Sequence, residues 1–189
     1  MPGAFVAPAF AQQTTTEDII KALTPVKTRS LSTSSSAAVE REESFINSVR
    51  TKQQALSPSE RDKMTEVIVD KPSGDLLIAF GYNSDVIKGD SVQLADALGR
   101  ALSSPDMKGS TFLIAGHTDA KGSNQSNLLL SERRAQAVKT YLVKHFALNP
   151  ADLITVGYGK TRLKNKDQPE AAENRRVEVV NIMSKTAGR

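Results

Sequence analysis

From residue 75 to residue 182 the chain alternates short apolar runs with stretches of helical periodicity, and that order narrows the fold more than any other feature. Residues 75–80 (Asp-Leu-Leu-Ile-Ala-Phe) are apolar on both faces, as expected of a central strand. Asp90 or Ser91 can cap a helix whose Leu94, Leu98, Ala101 and Leu102 form an inward stripe, and Ser103-Ser104-Pro105 ends it. A second strand over 111–115 runs into a glycine-bearing loop, 116–122, and a long helix over about 126–146 follows. After Asn149-Pro150 come a strand over 153–156, a Gly157-Tyr158-Gly159 turn and a last strand over 176–182. The order β-α-β-α-β-β predicts an α/β fold, a mixed sheet with two main helices on one face.

The loop and the long helix also carry the candidate chemistry. At 100° per residue from Asn127, one side of the helix gathers Asn127, Ser131, Arg134, Val138, Tyr141, Leu142 and His145. The opposite side reads Leu129, Glu132, Arg133, Gln136, Lys139, Thr140, Val143 and Lys144, mostly a solvated face. Arg134 therefore points inward, where a guanidinium is costly unless an anion of suitable shape meets it. Asp119 precedes it by fifteen positions, in the loop after the second strand. Ligand groups gather in such loops, and the two opposite charges suit a zwitterionic ligand. A structural salt bridge to a carboxylate of the same domain explains Arg134 equally well, and the residues alone leave both readings open.

Composition excludes more than it selects. The net charge of +4 and a pI near 9.3 favour an anionic partner. Yet no dense Lys/Arg block tracks a phosphate backbone, and only 5% of residues are aromatic, too few to stack bases. Nucleic acid is not expected. With no cysteine there is no disulfide framework, thiolate metal site or lipidated cysteine. Residues 1–11 resemble the back half of a secretory signal, with Ala9-Phe10-Ala11 as the small-x-small cleavage pattern but no basic n-region. Export is the expectation. No other apolar run approaches the ~18 residues of a membrane span.

From residue 12 to about 62 the composition is that of a linker, with Thr14-Thr15-Thr16 and a serine-rich run over 30–36. Within it, Val39, Phe45, Ile46 and Val49 recur at near-helical spacing and predict a short amphipathic helix over 37–56, able to dock on the domain or on a partner protein. Residues 24–31 read as a tether. The compact unit is expected over 63–185.

Several linked motifs resemble one family in order and spacing. They are Gly116-His-Thr-Asp119, Gly122, Asn127-x-x-Leu130-Ser131-x-x-Arg134-Ala135-x-x-Val138, Tyr141-Leu142, Gly157-Tyr158-Gly159 and Asn174-Arg175-Arg176-Val177. Together they resemble the OmpA-like peptidoglycan-binding domain over about 67–182, with Phe80-Gly-Tyr-Asn83-Ser84 similar to that family's first strand and turn. The resemblance implies an OmpA-like α/β sandwich and, as ligand, the meso-diaminopimelate of peptidoglycan stem peptides. It implies that Asp119 accepts from the ammonium while Arg134 forks onto the carboxylate. Asn127 would add amide hydrogen bonds, Tyr82 and Asn83 backbone groups, and Thr118 would orient Asp119. It further implies a noncatalytic, wall-associated protein without cofactor; the signal-like start points to the periplasm, and with no barrel, lipobox or spanning helix read in the sequence, outer-membrane attachment is expected only through a partner.

The chain departs from the family pattern in the 160–173 loop, where Ala171-Ala172-Glu173 stands for a frequent Gly-Arg pair and Leu163 for a frequent proline. Arg175 and Arg176 begin the last strand; one of them can brace the site, but solvated or ion-paired structural residues are the plainer reading. Enzyme readings find little support: His117 and Asp119 lack a third metal ligand nearby, and no Gly-x-Ser-x-Gly or phosphate-binding glycine loop is present. Three classes stay in view: a wall-binding module, a scaffold whose residues 12–62 recruit a partner protein, and a metal-dependent hydrolase.

Overall fold

The computed structural model describes residues 14–25, 36–52, 54–80 and 84–184. The signal-like pattern at 1–11, most of the 24–31 tether, and Tyr82 and Asn83 lie outside the described residues. Five helices and four strands follow one another: α1 Thr16–Leu23, α2 Ser36–Arg50, α3 Pro58–Val67, β1 Ser73–Leu76, α4 Ser91–Leu102, β2 Thr111–His117, α5 Asn124–Phe146, β3 Leu153–Gly159 and β4 Val177–Met183. The strands form one mixed sheet in the order β1-β4-β2-β3, with β2 and β3 parallel and β4 antiparallel to both β1 and β2.

The period-2 alternation of the strands feeds two cores. Phe112 and Ile114 of β2 and Val177 and Val179 of β4 face α4 and α5, where Leu98, Leu102, Val138 and Leu142 are buried. This is the two-helix face expected from the sequence, and α1 joins it through Ile19 and Leu23. Leu113, Ala115, Val180 and Ile182 point the other way. There they meet Phe45, Ile46 and Val49 of α2 and Met64 and Val67 of α3. Each such fully buried aliphatic side chain contributes about 1.5–3 kcal/mol before entropy is counted. The stretch expected to be linker thus supplies helices to both faces of the sheet.

Local signals start these helices. Thr15 and Asp18 form a reciprocal capping box at α1, and Ser57 and Glu60 form another at α3, which has proline in its first turn. At the other end of α1, the buried Asn181 amide donates to the Leu23 carbonyl at 3.0 Å.

Two sequence expectations change. Residues 75–80 are not a central strand: β1 is a sheet edge, Leu76 and Ile78 are buried, and Leu77 is 59% exposed. Its unbroken apolar run reflects one buried face and one exposed face, and the central strand is β2, buried at all seven positions. Nor is Gly157-Tyr158-Gly159 a turn, since all three residues belong to β3.

Candidate functional site

The long helix meets the sheet across glycines. A Cβ added at Gly116 would stand 2.1 Å from the Ser131 carbonyl oxygen. One at Gly157 would stand 2.4 Å from Glu132 Cγ, and one at Gly159 2.9 Å from the Leu128 nitrogen. The first turns of α5 therefore rest on bare backbone at the ends of β2 and β3. Ser131, fully buried, fastens the contact: its hydroxyl donates to the Leu128 carbonyl at 2.8 Å and accepts from the Gly159 N–H at 2.8 Å.

This seating turns α5 slightly from the plotted wheel. The buried stripe runs through Asn127, Ser131, Ala135, Val138 and Leu142, with Ala135 at its centre. Arg134 lies on the flank of that stripe, part-buried, and His145 is exposed, not packed. His145 stacks on Tyr141 at 4.3 Å, and Tyr141 donates to Asp96.

Asp119 sits just beyond the carboxyl end of β2 and is only 8% exposed. Its Oδ1 accepts from the Lys121 N–H at 3.1 Å, and its Oδ2 pairs with Arg175 Nη1 at 2.8 Å. The loop around it is held from several sides. Asn127 donates its amide to the Lys121 carbonyl at 2.6 Å, the Thr118 N–H donates to the Gly159 carbonyl at 2.9 Å, and Lys160 reaches the Gly122 carbonyl at 2.8 Å. The Thr118 hydroxyl is buried without a partner among the described residues.

Arg134 has a different environment. Its Nε donates to the Ser84 carbonyl at 3.2 Å, and its guanidinium lies over the Phe80 ring at 4.9 Å. Among the described residues it makes no salt bridge. Burial pushes its pKa down, as does the charge of Arg175, while Asp119 and Asp85 pull it back up. A guanidinium keeps its proton under such shifts, so the site holds a fixed cation without a close carboxylate.

Of the sequence readings for Arg175 and Arg176, solvated, ion-paired or bracing the site, both residues are ion-paired, Arg176 through Nε to Asp75 at 2.9 Å. What the sequence did not reveal is that the partner of Arg175 is Asp119 itself. The 160–173 loop brings Arg175 there, and Asn174 fixes that loop. Its buried amide donates to the carbonyls of Asn165, Gln168 and Pro169 and accepts from the Asn165 N–H. Pro169 in turn accepts from the Ala120 N–H at 2.9 Å, joining the loop to the site.

His117 lies on the opposite face of the sheet end. It is 1% exposed, 3.1 Å from Glu178 and stacked on Tyr158 at 5.6 Å. Burial pushes its pKa below 6.5, outweighing the opposing pull of Glu178. No group of three or more metal-ligating side chains exists among the described residues, and none of their helices is long and apolar enough to cross a membrane.

The chain is similar to known proteins over this same region. The model of the OmpA family matches residues 79–176, slightly more than half of the chain. The peptidoglycan-associated lipoprotein of Pseudomonas aeruginosa is 38% identical over 104 residues, covering 53% of this chain and 58% of that protein. Outer membrane protein A of Serratia marcescens is 35% identical over 114 residues, covering 54% of this chain and 32% of that protein. Among solved structures, the peptidoglycan-associated lipoprotein from Burkholderia pseudomallei is 24% identical with a TM-score of 0.46, covering 60% of this chain and 92% of that one. The chain spans less than two thirds of the length of these curated relatives.

Proposed function

Because the chain belongs to the OmpA family, we propose that it binds peptidoglycan without catalysis, in the periplasm, through the diaminopimelate of the stem peptide, and so links the cell envelope to the wall. The observation that carries this reading is the charge arrangement at the sheet end. Arg134 is part-buried, lacks a carboxylate within salt-bridge distance among the described residues, and shares its field with Asp119. The structural alternative for Arg134, an ion pair within the domain, is the role that Arg175 takes instead. The names of relatives, peptidoglycan-associated lipoproteins among them, support the same ligand class.

In this reading the stem ammonium meets Asp119 and the carboxylate on the same carbon meets Arg134 in a bidentate fork. Arg175 is 46% exposed at its side chain, so it can give up one Asp119 oxygen to the ammonium at little cost. Asn127, already bonded to the Lys121 carbonyl, shapes the loop as well as facing the ligand. The backbone groups that the family resemblance assigns to Tyr82 and Asn83 belong to the same proposal, and both residues lie outside the described ones. The scaffold reading, in which residues 12–62 recruit a partner, gains less support. Ile19, Leu23, Ile46 and Val49 are committed to the two cores and are not free for a partner.

The test is cosedimentation of the chain, titrated against sacculi of diaminopimelate type and of lysine type. Wild type should pellet with the first and not the second. Asp119→Ala and Arg134→Ala should each lose about 2–5 kcal/mol of binding, because the remaining charge stays desolvated and unpaired. Wild-type-like pelleting by folded variants of both residues would refute the assignment.

A further inference from the structure

β3 closes one edge of the sheet, with β2 as its single strand neighbour. Among the described residues, no hydrogen bond outside the β2–β3 ladder reaches the backbone at Ile154, Thr155 or Val156. Along this edge runs a groove of about 670 Å³. One wall is α5, which belongs to the first core, and the other is the end of α2 with the stretch after it, which belongs to the second. The unpaired strand edge thus lies at the floor of a slot between two helical layers.

The charges on the walls are unequally matched. Arg50 is engaged with Asp152, Lys52 with Glu60 at 2.5 Å, and Glu132 faces Arg61 at 3.9 Å. That leaves Arg133 and Lys139 of α5, neither of which has a carboxylate or hydrogen-bond acceptor among the described residues. Lys139 is half-buried, and burial alone pushes its pKa down, with no anion to offset it. A cation that merely guards a strand edge stays in water. This one is partly withdrawn from water with nothing to meet it.

We propose that the β3 edge is a docking site for an extended acidic segment of another protein. The segment adds as a fifth strand through backbone hydrogen bonds and places carboxylates against Arg133 and Lys139. The spacing fits. Six helical positions separate the two residues by about 9 Å along the axis and about 120° around it, alternate residues of a strand lie about 6.7 Å apart on one face, and the long side chains span the difference. A second copy of this chain is a poorer occupant, since pairing β3 with β3 would bring the same cations together. The site uses residues 133, 136 and 139 of α5 rather than 127, 131 and 134, so it stands apart from wall binding.

The probe is a fluorescein-labelled octapeptide of alternating glutamate and valine, titrated with the full chain and followed by fluorescence anisotropy. Saturable binding is expected, weakened about tenfold or more by the double variant Arg133→Gln, Lys139→Gln. Methylating the peptide backbone amides, which keeps its charges but removes its donors, should abolish binding. That arm needs no protein variant and decides the matter even where the double variant unfolds. The proposal is overturned by absence of saturable binding, by equal binding of a lysine–valine peptide, by unchanged binding of the methylated peptide, or by unchanged binding of the folded double variant. A concentration-dependent dimer in sedimentation that excludes the peptide would assign the edge to a second copy and overturn it as well.

Discussion

Gly116→Ala adds one methyl group at the point where α5 rests on β2. The new Cβ would lie 2.1 Å from the Ser131 carbonyl oxygen, 2.9 Å from its carbonyl carbon and 3.2 Å from its Cα. All three are helix backbone, so no rotamer change relieves the overlap. The helix must retreat by roughly 1 Å to restore van der Waals contact, opening a gap beneath Ala135 and Val138, both fully buried. Overpacking of this kind costs about 1–3 kcal/mol, and a backbone neighbour puts this case at the upper end. A loss of about 3 kcal/mol lowers Tm by about 6–12 °C for a chain of this size. Gly89→Ala is the control: Gly89 has φ +56° and nothing within 4 Å of a new Cβ, so it pays only backbone strain, about 1 kcal/mol. Urea denaturation of both variants beside wild type measures the difference. Because Arg134 is on α5 and Asp119 follows β2, Gly116→Ala should also weaken binding to sacculi at temperatures where it stays folded. A Gly116→Ala protein within about 0.5 kcal/mol of wild type would refute the close-approach reasoning, since surface-like effects have that size.

Other outcomes follow from the same geometry. Asn174→Ala removes a buried amide that serves three carbonyls and one N–H, and should cost about 1–3 kcal/mol in denaturation while exposing the 160–173 loop to limited proteolysis. Arg175→Ala leaves Asp119, whose side chain is 12% exposed, without its paired cation and should cost about 1–3 kcal/mol of folding stability, which thermal melts can check. His117 has a folded pKa below 6.5, so the unfolded chain takes up that proton first as pH falls. Its contribution to stability is complete above about pH 6.5 and is lost as pH drops below that value towards the folded pKa. Denaturation curves between pH 8 and 5 should therefore show a decline that is shallower in His117→Asn, and equal slopes in the two proteins would count against it.

Much of the architecture is readable from local pattern because it rests on local physics. Helix α5 announces itself through its 3.6-residue periodicity, and β2, β3 and β4 through short apolar runs. The amphipathic helix expected over 37–56 forms as α2 but ends at Arg50; Phe45, Ile46 and Val49 are its buried face as expected, while Val39 is 45% exposed. α1 escaped notice because it is shorter than the roughly 11–18 residues over which periodicity is read, although Ile19, Ile20 and Leu23 recur at helical spacing and its capping box was present in Thr15 and Asp18. The strand order escaped it as well. An apolar run like 75–80 cannot tell whether both its faces are covered, since that depends on which strands and helices come to lie beside it.

The family, the succession of elements and the spacing of the candidate site residues are already legible in the amino-acid order, because side-chain type and helical or strand periodicity are properties of neighbouring positions. Folding in three dimensions is what pairs Asp119 with Arg175, sets Arg134 against Ser84 and Phe80 with no carboxylate in salt-bridge reach among the described residues, and makes glycines 116, 157 and 159 a seat for α5. Charge partners and close approaches are set by distances between segments far apart along the chain, and a linear pattern contains no such distance.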